Sequence, residues 1–166
     1  AIGKTPTTYR AGSFEVYDGH FDALSKAGIK IDSSLYYNNI HNFSNTGKYI
    51  KNNSYYIGDV YEIPVTSYNK IKANNTVRFD LNSTSFKEKL ELISRSLINN
   101  TDYLMMLCHS WSFLQYDKYT STSNLYHTDF SKNTYDEFMY MLDFLNNTEA
   151  INFSTCEQYF EKNEIK

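Results

Sequence analysis

The sequence predicts a single α/β domain over residues 1–166, in which strands alternate with helices. Segments of strand length occur at 29–35 and 60–66, which contain β-branched residues, and at 103–108, which is an almost unbroken apolar run. Segments with helical periodicity lie between them, and the clearest covers 85–97. Because parallel neighbouring strands need a crossover connection, this alternation favours a parallel sheet or barrel. A chain of 166 residues is long enough to bury a substantial core.

The first half of the chain is predicted to form two strands and one helix. In order, these are a strand over 7–14 with a turn at Gly12, a helix over 15–27 ended by Gly28, a strand over 29–35 and a polar loop over 36–58. Phe21, Leu24 and Ala27 share one face of the helix. A glycine just after the last helical residue readily takes the left-handed conformation that ends helices.

The second half is predicted to contain more strands and three helices. Strands are predicted at 60–66, 77–81, 103–108 and 151–153. Ser85 with Glu88, and Thr134 with Glu137, have the capping-box spacing that marks the start of a helix. A short final helix, capped by Ser154 or Thr155, would carry Tyr159 and Phe160.

The composition narrows the function classes. The net charge of −3 argues against a general nucleic-acid binder, which would present a basic face. No apolar run reaches the roughly 18 residues of a membrane-spanning helix, so no transmembrane segment is predicted. Cys108 lies in an apolar run far from Cys156, which favours a buried free thiol over a disulfide. Cysteine usage leaves the cellular compartment open.

Four short segments together resemble a known enzyme family. They are Thr8-Tyr9-Arg10-Ala11-Gly12-Ser13-Phe14, Gly28-Ile29-Lys30-Ile31-Asp32-Ser33-Ser34, Glu62-Ile63-Pro64-Val65-Thr66 and Leu107-Cys108-His109-Ser110-Trp111. In this order they resemble the second half of a polysaccharide deacetylase, the NodB-homology domain of carbohydrate esterase family 4. The likeness spans nearly all of the chain. It implies the C-terminal portion of a distorted seven-stranded (β/α) barrel.

His109 is the first candidate for chemistry. It directly follows a hydrophobic strand, where the ends of barrel strands present catalytic groups. Its imidazole can exchange a proton near neutral pH, as a general acid or base must. The resemblance implies that His109 protonates the departing amine and that Leu107 lines the pocket for the acetyl methyl group. Trp111 is interpreted either as a wall of the sugar site or as a core indole.

Arg10 and Asp32 are the other catalytic candidates. An arginine that ends a strand can hold a carboxylate with two parallel hydrogen bonds, and the resemblance implies that Arg10 orients the catalytic base. The resemblance also implies that a carboxylate near Asp32 pairs with His109 and favours its protonated form. A turn or capping role for Asp32 with Ser33 and Ser34 remains the alternative. Asp59 and Asp80 are further possible partners of the histidine.

The family's metal centre is missing from the sequence. The resemblance requires an Asp-Asp pair, which supplies the base and one ligand, and a His-x-x-x-His for a divalent metal such as zinc; neither occurs here. The four histidines are His20, His41, His109 and His127, and no two stand four residues apart. His20 is predicted at a helix surface, and His41 and His127 in polar loops. We therefore expect no metal to bind this chain alone, and its start at Ala1 suggests a processed or truncated product.

Three functional interpretations follow. The leading one is metal-dependent hydrolysis of N- or O-acetyl groups on a cell-surface or cell-wall glycan by the intact protein, with this chain inactive alone. The alternative is a non-catalytic carbohydrate-binding or assembly module with the same fold. A structural fragment that dimerises is the third, because half a barrel exposes strand edges and an apolar interior that favour self-association. The resemblance implies a polysaccharide or oligosaccharide partner and a cell-envelope or glycan-synthesis context.

Overall fold

The structure is a computed structural model that describes residues 3, 5–36, 52–70, 75–116 and 127–164. Its elements are β1 (Thr8–Tyr9), α1 (His20–Lys26), β2 (Ile31–Asp32), β3 (Tyr55–Ile57), β4 (Val60–Glu62), β5 (Ser67–Lys70), β6 (Asn75–Arg78), α2 (Phe86–Ile98), β7 (Leu114–Tyr116), β8 (His127–Phe130), α3 (Lys132–Asn146) and α4 (Cys156–Glu164). The fold is mixed α/β, as predicted. Over the described ranges, the strands do not close into a barrel. None of the helices in these ranges is long and apolar enough to cross a membrane.

The principal sheet has the strand order β1-β2-β4-β3. β1, β2 and β4 are parallel, which confirms the parallel arrangement predicted from the alternation of strands and helices. β3 is antiparallel to β4. In the parallel register, Ile31 lies opposite Tyr61 and Asp32 opposite Glu62. The register therefore brings two carboxyl side chains to neighbouring positions at the carboxyl ends of β2 and β4.

Further parallel pairing continues beyond these strands. Single bridges join Tyr36 to Val65 and Asp80 to Leu107. The amide of Leu107 donates to the carbonyl of Phe79 at 2.7 Å. The segment predicted as a strand over 103–108 thus runs beside residues 79–81, although only Leu107 has ladder pairing there. This pairing positions the start of the His109 segment.

The principal sheet is covered on both faces. Successive residues of a strand point to opposite faces, so Val60 packs toward α1 and Tyr61 toward α4. On the face covered by α1, Val60 and Leu35 form one apolar cluster with Phe21 and Leu24 of that helix. A separate cluster joins α2 and α3 over Val77 and Phe79. Burial on both faces explains why the parallel strands read as nearly continuous apolar runs.

Helix α4 covers the face of the principal sheet opposite α1. Phe160 of α4 packs against Ile31, Tyr61 and Ile63, all of which are buried. The side-chain hydroxyl of Thr7 also donates to the carboxylate of Glu157 on α4. The open apolar interior expected from the sequence is therefore wrong for this face. Helix α4 thus supplies the apolar packing partner of this face.

Two predicted helix boundaries are confirmed by their hydrogen bonds. At the start of α2, the Glu88 amide donates to Ser85 Oγ at 3.4 Å, and the Ser85 amide donates to Glu88 Oε2 at 3.0 Å. After α1, Gly28 has a φ of +78°, and the Ile29 amide donates to the Leu24 carbonyl at 2.9 Å. Both are local devices that satisfy free backbone groups at a helix end.

The predicted capping box at the start of α3 is wrong. The helix begins at Lys132 after Ser131, and the hydroxyl of Thr134 bonds the hydroxyl of Ser131 at 2.8 Å. Glu137 instead forms an ion pair with Lys89 on α2. A tertiary ion pair therefore outcompetes the local cap. α4 keeps its predicted start, with Thr155 and Gln158 exchanging hydrogen bonds.

Several strands differ from the predictions. β3 lies in the segment predicted as loop over 36–58, of which residues 37–51 fall outside the described residues. Two hairpins, β5 with β6 and β7 with β8, had no sequence prediction that covered both strands. Residues 151–153 have no strand pairing, and the helix predicted over 15–27 shortens to α1. The hairpins are polar and lack clean alternation, so cross-strand pairing decides them rather than local pattern.

Replacing Phe160 with alanine should destabilise the fold by about 3–5 kcal/mol, because it leaves a cavity between α4 and the sheet. Chemical denaturation measures the free energy of unfolding. Phe153→Ala is the matched control, since Phe153 is 59 % exposed and Phe160 is 8 % exposed. Equal losses in the two variants would show that α4 does not cover the sheet in solution.

Candidate functional site

Polar side chains follow the parallel strands where each strand ends. Arg10 follows β1, Asp32 ends β2 and Glu62 ends β4. Because the carboxyl ends of parallel strands lie at one edge of a sheet, these side chains are neighbours. This edge is where open α/β sheets and barrels place their functional groups.

Arg10 is half-buried and holds the end of β2. Its Nε donates to the Ser33 carbonyl at 2.9 Å, and its Nη2 donates to Ser33 Oγ at 2.8 Å. Burial lowers the pKa of Arg10, and negative charge on Cys156, Glu62 and Asp32 opposes that effect. Arg10 therefore makes a two-pronged contact with Ser33 rather than with the carboxylate that the sequence had predicted. Its proposed role toward a catalytic base stays a prediction.

Asp32 is fully buried and connects three elements. Its Oδ1 accepts the Ser34 hydroxyl at 2.7 Å, and its Oδ2 lies 3.4 Å from Nε2 of His20 on α1. Ser34 Oγ in turn accepts the amide of Ala11 at 2.8 Å. The surface position predicted for His20 is wrong, since its side chain is only 13 % exposed. A buried carboxylate needs hydrogen-bond donors, and the imidazole of His20 can serve as one for Asp32.

Glu62 is a candidate functional residue to which the sequence reasoning assigned no role. It is fully buried, and its Oε1 accepts the amide of Leu35 at 2.9 Å. Its Oε2 is buried without a hydrogen-bond partner for an ionised carboxylate. Burial raises the pKa of Glu62 well above its usual range, and the negative charge of Asp32 adds to that rise. A glutamate between Tyr61 and Ile63 in an apolar strand was the available signal.

His109 and Trp111 form an aromatic surface. Their rings stack with centroids 4.2 Å apart and planes inclined by 9°. Trp111 is 45 % exposed, so its interpretation as a core indole is wrong. The imidazole is half-buried and the indole offers its remaining area to solvent. A flat exposed aromatic pair of this kind can stack on an apolar face of a ligand.

Ser112 and Asn82 hold this segment in place. The His109 amide donates to Ser112 Oγ at 2.9 Å, and the Ser112 amide donates to the His109 carbonyl at 3.0 Å. Asn82 Nδ2 reaches from the turn before α2 to the Ser112 carbonyl at 2.8 Å. These bonds form a tight turn and anchor it to a neighbouring strand end. They fix the backbone from which the imidazole projects.

Leu107 is buried and packs against Phe14 and Val65. Its predicted contact with an acetyl group stays a prediction, because these neighbours show only its packing. Asp80 pairs with Leu107 through the backbone, and its Oδ1 accepts the amides of Asn82 at 2.9 Å and Ser83 at 3.2 Å. Burial alone would raise the pKa of Asp80, but hydrogen bonds from Ser83 and Asn82 outweigh it and lower the pKa.

The candidate residues form two groups rather than one. In the described part of the chain, no hydrogen bond or ion pair joins His109 to Arg10 or Asp32. The strand-end cluster consists of Arg10, His20, Asp32, Ser34 and Glu62. The aromatic surface consists of His109 and Trp111. The partner that the structure provides for Asp32 is His20, and Asp59 lies elsewhere, 3.4 Å from the hydroxyl of Ser25.

The environments predicted for two other residues, Cys108 and His127, are wrong. Cys108 is a free thiol, but it is exposed rather than buried as predicted, and Cys156 is half-buried. His127 lies in β8 rather than in a polar loop, whereas His41 falls outside the described residues. Within the described ranges, no three or more His, Cys, Asp or Glu residues are grouped so that they could hold a metal ion.

Comparison of the chain with protein-family models, curated proteins and solved structures finds no match. A functional assignment therefore depends on the residues of this chain and their geometry.

Replacing Arg10 with lysine should lower the free energy of unfolding by about 1–3 kcal/mol, because one ammonium group cannot keep both partially buried contacts with Ser33. Arg95→Lys is the matched control: Arg95 also donates through Nε and Nη2, but to the exposed Glu91. That exposed pair contributes little, so the control should unfold like the unaltered protein. Denaturant titration compares the three proteins, and an unchanged midpoint for Arg10→Lys would contradict the role of this clasp.

Proposed function

We propose that this chain is the C-terminal part of a polysaccharide deacetylase-like protein. The intact protein would hydrolyse N- or O-acetyl groups on a cell-surface or cell-wall glycan. The observation that carries the proposal is that the first three family-like segments contribute the parallel strands β1, β2 and β4 to one sheet in chain order. Arg10 and Asp32 stand at the ends of adjacent parallel strands, and Leu107 is the last paired residue before His109. On this proposal, the fold is the corresponding portion of a (β/α) barrel.

His109 is the proton-transfer residue in this proposal. Its imidazole is partly accessible, and Ser112 fixes its backbone. A positioned histidine can donate a proton to a leaving amine or alcohol. Trp111 beside it offers a flat face against which a sugar ring can pack. On this proposal, a glycan binds against the accessible side chains of His109 and Trp111.

On this proposal, the catalytic base and the metal ligands come from a part of the intact protein other than the described residues. A divalent metal such as zinc would polarise the acyl oxygen and activate water in the intact protein. The described residues do not fit such an ion, since they provide no group of three ligands. Arg10 and Asp32 are also engaged in contacts within the chain. The isolated chain is therefore proposed to be inactive.

A non-catalytic carbohydrate-binding module is the second candidate function. The exposed Trp111 ring stacked on His109 favours it, because stacking on a sugar requires no metal or base. Both candidates predict that the chain binds an oligosaccharide. They differ in whether acetate is released when the rest of the protein is present.

Addition of an acetylated chito-oligosaccharide should change the intrinsic fluorescence of the protein, because Trp111 is its single tryptophan. By calorimetry, Trp111→Ala should weaken binding about threefold to tenfold through loss of stacking. Tyr140→Ala is the matched control, because Tyr140 is an exposed aromatic residue on α3. An affinity unaffected by Trp111→Ala would rule out the aromatic surface as the glycan site.

The isolated chain should release no acetate from acetylated chito-oligosaccharides or acetylated xylan when supplied with Zn²⁺, Co²⁺ or Ni²⁺. Enzymatic acetate assay, with His109→Ala measured alongside, checks this. Metal-dependent release that disappears in the variant would mean that the chain assembles a complete centre. In the intact protein, release should fall about 10²–10⁴-fold in His109→Ala. Glycan binding with no release by the intact protein would favour the binding module.

A further inference from the structure

Two carboxyl side chains share one buried position in the sheet. Asp32 and Glu62 lie directly opposite each other on β2 and β4, and both are 0 % exposed. Two carboxylates held this close in a low-dielectric interior repel each other strongly, so one of them tends to keep its proton. The structure indicates which one does.

The hydrogen-bond donors around the two carboxyls are unequal. Asp32 has a donor for each oxygen, the Ser34 hydroxyl on Oδ1 and the His20 imidazole near Oδ2. Glu62 has the Leu35 amide on Oε1, whereas its Oε2 has no donor if the group is ionised. A proton on Glu62 removes this deficit, because Oε2 then becomes a donor that can bond Asp32. The negative charge is best accommodated on Asp32.

The surrounding charges do not compensate a second negative group. The titratable groups that interact with the pair are Arg10 after β1, His20 on α1, Tyr55 on β3 and Tyr103, which precedes Leu107 in the chain. On α4, Cys156 interacts with Arg10. Burial raises the pKa of Tyr55 and of Tyr103, so these phenols stay neutral. Arg10 uses its guanidinium on Ser33. His20 faces Asp32.

We propose that Asp32 and Glu62 hold a single proton between them and act as a pH-sensitive clamp between β2 and β4. With the proton in place, Glu62 donates to Asp32 and joins the two strand ends. When the proton leaves, two buried carboxylates face each other and the clamp opens. Asp32 also contacts α1 through His20, so opening loosens the packing of this helix on the sheet. This device shares Asp32 with the strand-end site described above, but it does not require the glycan chemistry proposed there.

The direction of the pH dependence follows from the raised pKa of Glu62. The folded state binds the proton more tightly than the unfolded state. The stabilisation is complete below the ordinary glutamate pKa of 4.5 and is lost as pH rises through the raised pKa of the folded protein. Each pH unit within this window weakens folding about tenfold and lowers Tm by about 3 °C.

Carboxyl NMR of the unaltered protein, labelled with ¹³C at the glutamate side-chain carboxyl, tests the shared proton directly. We expect one glutamate signal to stay at the protonated position at about pH 7 and to be absent from Glu62→Gln. An ionised Glu62 at this pH would overturn the proposal. This measurement decides the matter even if the variant does not fold.

Thermal unfolding between about pH 5 and pH 9 tests the clamp. Glu62→Gln keeps an acceptor for Leu35 and a donor for Asp32 but cannot ionise, so its Tm should lose the decline with rising pH. Glu161→Gln is the matched control, since Glu161 is exposed on α4, and it should keep the decline. The same decline in Glu62→Gln as in the unaltered protein would overturn the clamp.

Discussion

The sheet depends on hydrogen bonds made by buried polar side chains at the ends of its strands. β1 and β2 have two residues each and β4 has three, so their backbone ladders are short. Arg10 bonds the backbone and hydroxyl of Ser33, and Ser34 accepts the amide of Ala11. Glu62 accepts the amide of Leu35. Each of these hydrogen bonds satisfies a polar group that burial would otherwise leave unpaired. Together they fix the positions of the strand ends relative to one another.

The structural role of the strand-end residues limits how the proposed function can be tested. Residues that resemble catalytic groups at the strand ends also hold the fold, so replacement of Asp32 would disturb both. His109 and Trp111 lie on a separate turn, held by Ser112 and Asn82. The chemistry proposed for this turn can therefore be tested without breaking the buried cluster. Helix α4 packs on the sheet face opposite α1, so both faces of the sheet are covered by helices of this chain.

Helix ends that depend on residues a few positions apart could be predicted from the sequence. α2 begins at the Ser85–Glu88 capping box, and α1 ends at Gly28 with a left-handed φ. The predicted start of α3 was wrong. Glu137 does not cap the helix but binds Lys89 on α2, which lies 48 positions away in the chain. The hairpin of β5 with β6 has little apolar alternation. Its strands exist through cross-strand pairing, which no local pattern of Ser67–Lys70 reports.

The sequence by itself determined the α/β class, the apolar strand cores and several helix ends, and it supplied the predictions for residues that carry chemistry. Only the tertiary structure decided that Asp32 meets His20, that Glu62 is buried beside it and that Cys108 and Trp111 are exposed. Helical periodicity and caps depend on residues a few positions apart. Burial and the distance between charges depend on segments far apart in the chain, and these two quantities set the protonation of Glu62 and the partner of each candidate residue.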